Sequence, residues 1–250
     1  DVAIVFDYEG QWTHSIQPQG MGMDLLRQAF EIYSGFRSIG QSIDILPQTA
    51  NLSGYRLIIV PGIPIVRSEL IAQLRACDGE VLILPRSGSK TGHFHIPGNL
   101  PPGELREFVA IRVLRVESLR PSVGEAVEMQ GSNLTVVNWR EHVELLDDAD
   151  DARVAATFSD GSPFWVRQGR YHYLCGWPDL VSSSSLFETI AKSAGLRPGP
   201  PALSLRLRRC GHLHFAFNYG RETESLAAYL PDGASFVLGG ALAQYPAGLL

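Results

Sequence analysis

The sequence predicts an α/β protein: a parallel sheet covered by helices, followed by a small antiparallel β domain. In the first part of the chain, short apolar runs alternate with stretches of helical periodicity, which is typical of a parallel sheet. A proline-rich joint follows at residues 197–201, where Arg-Pro-Gly-Pro-Pro resists regular pairing. Beyond it, short segments alternate apolar and polar residues between turns, which indicates antiparallel strands. The predicted domains are therefore residues 1–197 and 198–250.

Four short strand patterns and two helix patterns predict the parallel sheet. The run Val-Ala-Ile-Val-Phe-Asp at residues 2–7 is continuous and rich in β-branched residues, as in a strand buried on both faces. Apolar residues recur at helical spacing through residues 21–39, and Gly40 then ends the predicted helix. Crossovers between the parallel strands should be right-handed. The strands are predicted at residues 2–7, 42–46, 56–60 and 80–84, and the helices at residues 21–39 and 68–76.

The middle of the chain and its C-terminal part carry shorter elements. Asp160-Gly161 and Gln168-Gly169 supply turn residues between antiparallel strands. The C-terminal domain is near the lower size limit for independent stability, so we expect it to pack on the larger domain. In the middle, a short helix is predicted at residues 104–109, strands at 111–117, 134–139, 154–158, 164–167 and 171–176, and a helix at 182–194. Beyond the joint, strands are predicted at residues 203–208, 212–218, 223–230 and 235–238.

Composition argues against several classes of function. The net charge of -5 and the pI of about 5.8 argue against an electrostatic nucleic-acid binder. No run approaches the roughly 20 apolar residues that span a bilayer. Cys77, Cys175 and Cys210 form no Cys-x-x-Cys pair, so we expect reduced thiols rather than a metal site. The chain begins directly in a strand pattern, from which we expect a fragment cut at a domain boundary.

Ligands of open parallel sheets bind outside the carboxyl ends of the strands. The loops that leave these ends are predicted at residues 7–16, 61–66 and 85–96. In the first loop, Asp7 and Glu9 could be mistaken for a glycosidase carboxylate pair, whose spacing is about 5 to 10 Å. Neighbouring carboxylates at a strand end are usually solvated, so we expect no catalysis by this pair. Trp12 is a candidate for packing or a subunit contact, since aromatic residues are enriched at interfaces.

The third loop contains the run Arg86-Ser87-Gly-Ser89-Lys90-Thr-Gly. Ser-x-x-Lys and Lys-Thr-Gly are penicillin-binding signatures, but they need two different lysines, and here Lys90 would serve in both. Lys90 follows Ser89 rather than glycine, so a phosphate-binding P-loop is excluded as well. Ser87 lacks the flanking residues of a Gly-x-Ser-x-Gly elbow. The loop therefore carries no recognisable catalytic motif.

Two histidine pairs have a spacing that could bind a metal. His93 and His95, like His212 and His214, would point to one side of an extended segment. A complete site needs a third or fourth ligand, and the sequence offers none, so surface or hydrogen-bonded histidines are the preferred interpretation. His172 is expected to face solvent or a polar contact on its strand.

The position of a nucleophile distinguishes one related class of enzymes. Class I glutamine amidotransferases share this kind of α/β architecture and carry a nucleophilic cysteine at a sharp strand-to-helix turn. Here the fourth predicted strand is followed by Pro85-Arg86-Ser87, and Cys77 lies before that strand. The nucleophile is therefore absent from the position that the fold would give it.

Four segments share their sequence and their order with one family. They are Val-Ala-Ile-Val-Phe-Asp-Tyr-Glu at residues 2–9, Tyr-Ser-Gly-Phe-Arg-Ser-Ile-Gly at 33–40 with Ile-Asp-Ile at 43–45, Ala-Asn-Leu-Ser-Gly-Tyr-Arg-Leu-Ile-Ile-Val-Pro at 50–61, and Leu-Pro-Arg-Ser-Gly at 84–88. With residues 200–250, they resemble the trimerisation domain and the C-terminal β domain of glycoside hydrolase family 42 β-galactosidases. Residues 90–99 depart from the family pattern.

The resemblance implies a fold, an activity and partners. The family's middle domain has an amidotransferase-like (flavodoxin-like) fold and builds a homotrimer. Its enzymes hydrolyse terminal β-D-galactosides with retention, using two glutamates of an N-terminal (β/α)8 barrel. That barrel is missing from this sequence, so no catalytic residue carries over, and we expect the chain alone to be inactive. Trp12, Arg86 and Ser87 are candidates for an interface or an active-site rim.

We also expect a bacterial cytoplasmic location, with no cofactor and no membrane or nucleic-acid partner. Two alternatives to an oligomerisation segment stay open. A stand-alone amidotransferase-like hydrolase would need a nucleophile on a strained backbone after Leu84. A carbohydrate-binding module would use Tyr219 or Tyr229 of the C-terminal domain.

Overall fold

One mixed sheet of eleven strands organises the computed structural model. The structure describes residues 1–20, 22–129, 132–146, 151–202, 204–230 and 233–235. The strands of the large sheet are β1 Val2–Val5, β2 Ile43–Leu46, β3 Leu57–Val60, β4 Glu80–Ile83, β5 Ile111–Ser118, β6 Glu125–Met129, β7 Ser132–Leu145, β8 Arg153–Phe158, β9 Pro163–Gln168, β10 Tyr171–Leu174 and β11 Gly176–Pro178. The helices of the described residues are α1 Tyr8–Ile16, α2 Leu25–Ser38, α3 Ser68–Ala76 and α4 Ser184–Ser193.

The four strands predicted in the first part of the chain form the parallel half of the sheet, in the order β2-β1-β3-β4. β1 and β3 are apolar and buried at every position, which is the pattern of parallel strands covered on both faces. The register aligns Val2 with both Ile43 and Leu57, so the carboxyl ends of these strands lie along one edge of the sheet. The predicted α/β class is confirmed for this half.

Strand β10 joins the parallel half to an antiparallel half. It pairs in parallel with β4 and antiparallel with β9, and the order continues through β8, β6, β7 and β11. β5 pairs with one end of the long strand β7. The sheet is therefore mixed, because the antiparallel strands predicted in the middle of the chain extend the predicted parallel sheet through β10. The sequence pattern does not predict β6 and β11, because both strands are short and flanked by polar or turn residues.

Helix α1 occupies the segment that was expected to be a strand-end loop. The Asp7 carboxylate accepts a hydrogen bond of 2.6 Å from the Gly10 N–H, which caps the helix. Asp24 caps α2 in the same way through the Arg27 N–H at 2.8 Å, so α2 begins later than its apolar pattern predicts. The short helix predicted at residues 104–109 is a 3-10 helix, Gly103–Glu107.

The main core fills the space between the sheet and its helices. α2 and α4 approach closely at Gly35, and the Phe36 and Phe187 rings pack with their centroids 5.0 Å apart. A second apolar cluster, in which Trp139 contacts Trp177, lies at the antiparallel end of the sheet. Among the described residues, no helix has the length and apolar character needed to cross a membrane.

After the proline-rich joint, an antiparallel hairpin packs on the α/β domain, as expected. It consists of β12 Leu205–Cys210 and β13 Leu213–Asn218. Arg208 in β12 donates hydrogen bonds of 2.7 Å to the Ile43 carbonyl and to the Asp44 carboxylate of β2. The strand predicted at residues 223–230 is wrong, because this segment forms turns and irregular structure. Most of the last predicted strand, from residue 236 onward, lies outside the described residues.

Candidate functional site

The candidate site is the carboxyl end of β4, the position at which the alternative of a stand-alone hydrolase needs a nucleophile. Arg86 follows the strand with a φ of +74°, a left-handed conformation that is strained for a residue other than glycine. The strained turn expected of an enzyme is therefore present, but it carries a guanidinium group. Ser87 is fully buried, and its hydroxyl donates a hydrogen bond of 2.8 Å to the Leu84 carbonyl. Neither side chain can attack a substrate at this turn.

The Arg86 side chain is buried in the protein, with 2% of its surface exposed. Its guanidinium lies over the Trp139 ring, 4.8 Å from the centroid, in a cation–π contact. None of the three guanidinium nitrogens has a hydrogen-bond partner among the described residues. Burial lowers the pKa of Arg86, and the nearby Glu141 carboxylate opposes that shift. Arg86 therefore contacts the interior of this chain, and its role at an interface or an active-site rim stays a prediction.

Glu141 on β7 is the acidic partner of this buried cluster. Its Oε1 accepts from the Arg86 backbone N–H at 2.9 Å and from the Trp139 indole N–H at 3.2 Å. Its Oε2 accepts from the Tyr173 hydroxyl at 2.6 Å. Burial raises the pKa of Glu141, whereas these three hydrogen bonds and the Arg86 charge act in the opposite direction. Every contact of this carboxylate is internal, so it fixes the turn after β4 to two other strands.

A second set of contacts forms around Gly62, in the turn after β3. His14 Nε2 donates to the Gly62 carbonyl at 2.8 Å, and the Gln28 amide oxygen accepts from the Gly62 N–H at 2.7 Å. Burial lowers the pKa of His14 to about 4, so the imidazole is neutral near pH 7. A side chain on residue 62 would meet the Pro85 carbonyl at 2.6 Å, so glycine is required where the two turns touch.

The acidic residues of the first strand end are engaged in structure. Asp7 caps α1 and also accepts from the Gln48 amide. Glu9 pairs with Arg67 at 2.6 Å on the protein surface. A retaining glycosidase needs two carboxyl groups about 5 Å apart that face a substrate, and the contacts of Asp7 and Glu9 serve a helix cap and a surface ion pair instead.

The remaining candidate nucleophile near the site is Cys175, directly after β10. It is fully buried, and burial raises its thiol pKa well above the ordinary value. A reactive cysteine requires the thiolate, which burial disfavours. Cys175 is therefore a packing residue. Among the described residues around this turn, none is the activated nucleophile that a stand-alone hydrolase would need.

The histidine predictions have mixed outcomes. His172 is fully buried rather than facing solvent; it makes the expected polar contact, with Glu80, and it also accepts from the Trp165 indole N–H at 3.1 Å. The rings of His93 and His95 lie 6.5 Å apart. Within the part of the chain that the structure describes, no group of three or more metal-ligating side chains comes together.

The aromatic residues predicted to contact other molecules differ in their exposure and in their contacts. Trp12 is 60% exposed on α1, and its role in a subunit contact stays a prediction. Tyr219 is exposed, but the Tyr229 hydroxyl donates to the Pro200 carbonyl at 2.5 Å, and its ring covers Gly40 and Gly199. Tyr229 therefore packs against the proline-rich joint and Gly40 of the α/β domain, which removes it from a carbohydrate-binding surface.

Sequence reasoning missed Glu141 of the Arg86 cluster, and it noted His14 in the first loop without expecting its burial against Gly62. His14 lies in a segment predicted as a loop, so no helical spacing marked it as buried. Glu141 stands between Arg140 and His142, a run that is typical of an exposed strand. The one available signal was the length of the strand pattern around Trp139, which continues beyond the predicted end.

The fold and the site together define an α/β domain in which internal packing contacts fill the strand-end positions. A family model described as "Beta-galactosidase trimerisation domain" matches residues 1–197. The chain therefore belongs to the family of β-galactosidase trimerisation domains.

Sequence relatives agree with this assignment. The chain is 43% identical over 239 residues to the β-galactosidase BgaA of a Thermus species, covering 96% of this chain and 36% of that protein. It is 42% identical over 238 residues to a β-galactosidase of Thermus thermophilus, covering 95% and 36%. The chain thus spans about a third of the length of these curated relatives.

Solved structures show the same fold. The β-galactosidase of the psychrophilic Marinomonas ef1 superposes with a TM-score of 0.87 and 30% identity, over 96% of this chain and 35% of that one. The β-galactosidase of the Antarctic haloarchaeon Halorubrum lacusprofundi superposes with a TM-score of 0.78 and 26% identity, over 87% and 34%.

Proposed function

We propose that this chain is the oligomerisation and C-terminal segment of a β-galactosidase and that it builds a homotrimer without hydrolysing galactosides itself. The observation that carries the proposal is the turn after β4. There, a strained backbone at Arg86 coincides with the position of a nucleophile, yet the Glu141 carboxylate accepts from the Arg86 backbone N–H and from the Tyr173 hydroxyl, and the Arg86 side chain is buried over the Trp139 ring. The turn after β4 therefore helps to hold β4, β7 and β10 together.

The chemistry of glycoside hydrolysis supports the same proposal. Retention needs a carboxylic acid and a carboxylate about 5 Å apart, both facing the sugar. Asp7 and Glu9 cap and brace α1, and Glu141 is buried with three donors on it. We propose that the catalytic carboxylates and the galactoside site belong to other parts of a longer polypeptide, about three times the length of this chain in the relatives.

Two measurements test the proposal. The purified chain, incubated with a chromogenic β-galactoside, should release no more product than buffer alone, and its sedimentation should give the mass of a trimer. Sequencing the coding region upstream of codon 1 should reveal a barrel domain with two strand-end glutamates. Turnover by the chain alone, or a strict monomer at high concentration, would contradict the proposal.

An amidotransferase-like origin of the fold is a finer part of this proposal. The order β2-β1-β3-β4-β10, with all neighbours parallel, is the flavodoxin-like order of doubly wound sheets. The left-handed backbone of Arg86, in the turn after β4, also supports this origin. We infer that the architecture was kept while the chemistry was lost.

The domain boundary and the location complete the proposal. We place the boundary between residues 197 and 198, which is supported by the end of the family match at residue 197 and by the prolines that follow. Partial digestion should cut first at residues 197–201.

A bacterial cytoplasmic location is supported by the three free cysteines, since reduced thiols are typical of that compartment.

A further inference from the structure

Five large apolar side chains are exposed on the first two helices. They form what we term the α1–α2 face, which consists of Tyr8 (64% exposed), Trp12 (60%), Ile16 (71%), Leu26 (53%) and Phe30 (64%). The three residues of α1 recur at intervals of four, as do the two of α2, so each helix presents one apolar stripe to the outside. Isolated exposed apolar residues are common, but two aligned stripes are not.

The two stripes are held together by side-chain contacts. The Gln11 amide donates to the Asp24 carboxylate at 3.2 Å, and its oxygen accepts from the Leu26 N–H at 2.9 Å. Gln11 thereby fixes α1 against the first turn of α2. The Tyr8 and Trp12 rings pack with their centroids 6.4 Å apart. The α1–α2 face is therefore a preformed surface rather than a set of independent side chains.

The size of the face matches an interaction surface. Large apolar side chains at these exposures offer roughly 500 Å² together, since an aromatic residue can bury about 150–250 Å². Exposed apolar patches above a few hundred Å² mark sites of association. A specific interface buries about 800 Å² on each partner, so this face would supply more than half of one side.

The charges beside the face are already paired within the chain. Glu9 pairs with Arg67 at 2.6 Å, and Arg27 pairs with Glu31 at 2.8 Å. The surroundings of the face therefore favour an apolar occupant over a nucleic acid or another highly charged partner.

We propose that the α1–α2 face is covered by a second copy of this chain in the oligomer. This inference rests on the proposed trimerisation, and it assigns the surface that the trimer uses. A three-fold ring requires a heterologous contact, in which the face of one copy meets a different surface of the next. Trp12 lies in the middle of the α1 stripe, where hot-spot aromatic residues are found.

Trp12 itself reports on the test. Of the four tryptophans, Trp139, Trp165 and Trp177 are buried, with 5% exposure or less, whereas Trp12 is exposed in the isolated chain. Acrylamide quenching of fluorescence therefore follows Trp12. At concentrations where sedimentation shows the trimer, Trp12 should be protected from quenching, and serial dilution to the monomer should expose it. The Trp12→Phe variant should lack the quenchable component at every concentration.

Charge placed on the face tests its role directly. The double variant Trp12→Glu/Phe30→Glu should raise the midpoint concentration of dissociation by at least about 30-fold, the effect of losing one hot-spot residue. The matched control is Val181→Glu, which alters a valine that is 87% exposed but lies outside the face, and it should leave the midpoint unchanged. Circular dichroism should show both variants folded.

The outcomes separate this inference from the proposed function. A double variant that remains trimeric, or a wild-type trimer in which Trp12 stays fully quenchable, would overturn the assignment of the face and leave trimerisation standing. A wild-type chain that is monomeric at all concentrations would overturn both.

Discussion

Tyr173 donates a hydrogen bond of 2.6 Å to Glu141 across a fully buried interface. The two residues belong to β10 and β7, strands that are separated by three others in the order of the sheet. A direct contact between them means that the antiparallel half curls, bringing β7 back toward the parallel half. The cluster around Arg86 lies where β7 approaches β10 and the turn after β4.

This contact makes Tyr173→Phe a test of the buried cluster of Arg86, Glu141 and Tyr173. Loss of the hydroxyl leaves one Glu141 oxygen without its donor in a buried site, which should lower the free energy of unfolding by about 1–3 kcal/mol. Urea denaturation provides the measurement. The control is Tyr55→Phe, whose hydroxyl bonds the Asp44 carboxylate at 2.9 Å in a partly exposed position and should cost less. Equal losses in both variants would contradict a special role for the cluster.

His14 predicts an acid-dependent loss of stability. In the unfolded chain its pKa is near 6.5, whereas burial lowers the pKa in the folded protein to about 4. As the pH falls from about 6.5 to about 4, the unfolded state binds a proton that the folded state excludes, so the free energy of unfolding decreases by up to about 3 kcal/mol.

The matched variant is His14→Gln, which keeps an amide donor for the Gly62 carbonyl but does not titrate. Urea unfolding across this pH range should show a shallower slope for the variant than for the wild type. An unchanged slope would show that other groups cause the acid sensitivity.

Gly35 predicts a tight helix–helix contact. A Cβ at this position would lie 2.3 Å from Phe187 Cε2 and within 3 Å of two further ring atoms. Gly35→Ala should therefore force α2 and α4 apart and lower stability by about 1–3 kcal/mol, despite the better helix propensity of alanine. Gly98→Ala is the control, because nothing lies within 4 Å of its Cβ. Thermal unfolding of the two variants provides the comparison, and a neutral Gly35→Ala would contradict the packing.

Arg208 predicts local opening of the C-terminal hairpin. Its two hydrogen bonds to β2 are partly exposed, so Arg208→Ala should cost no more than about 1 kcal/mol globally. Amide hydrogen exchange in β12 and β13 should accelerate, because the hairpin loses a direct attachment to the α/β domain. Arg206→Ala is the control, since Arg206 bonds carbonyls within four residues of itself. Equal exchange in both variants would locate the attachment elsewhere.

The parallel half was predictable because its information is local. Each of β1 to β4 is a short apolar run, and β-branched residues in such runs favour buried strands regardless of their neighbours. The resemblance to the family also rested largely on this half. The end of α2 near Gly40 followed from the identity of a single residue, whereas the Asp7 and Asp24 caps were not predicted.

Helix α1 was missed for a physical reason. Gly10 weakens helix propensity in the first turn of the segment, which made a loop the natural interpretation. The glycine is there because a Cβ would lie 2.8 Å from Leu25 Cδ2 and 2.9 Å from the capping Asp7 oxygen. Tertiary packing against α2 thus decides a conformation that the local sequence opposes.

The curl of the antiparallel half and the buried cluster were not predictable from periodicity. β4 pairs with β10, and Glu141 reaches Tyr173, through contacts that no local pattern encodes. Burial of Arg86 could not be read from its type, because arginine is usually exposed. The prediction that no nucleophilic cysteine follows β4, in contrast, required only the identities of Pro85, Arg86 and Ser87.

The parallel pairing of β10 with β4 also constrains how the protein is made. Tyr171 aligns with Val81, so about 90 residues must leave the ribosome after β4 before its second neighbour exists. Until then β4 is an open edge, ready to template a strand from another nascent chain. Synthesis of this region should therefore depend on chaperones more strongly than its modest size suggests, and a truncation between β4 and β10 should aggregate rather than fold.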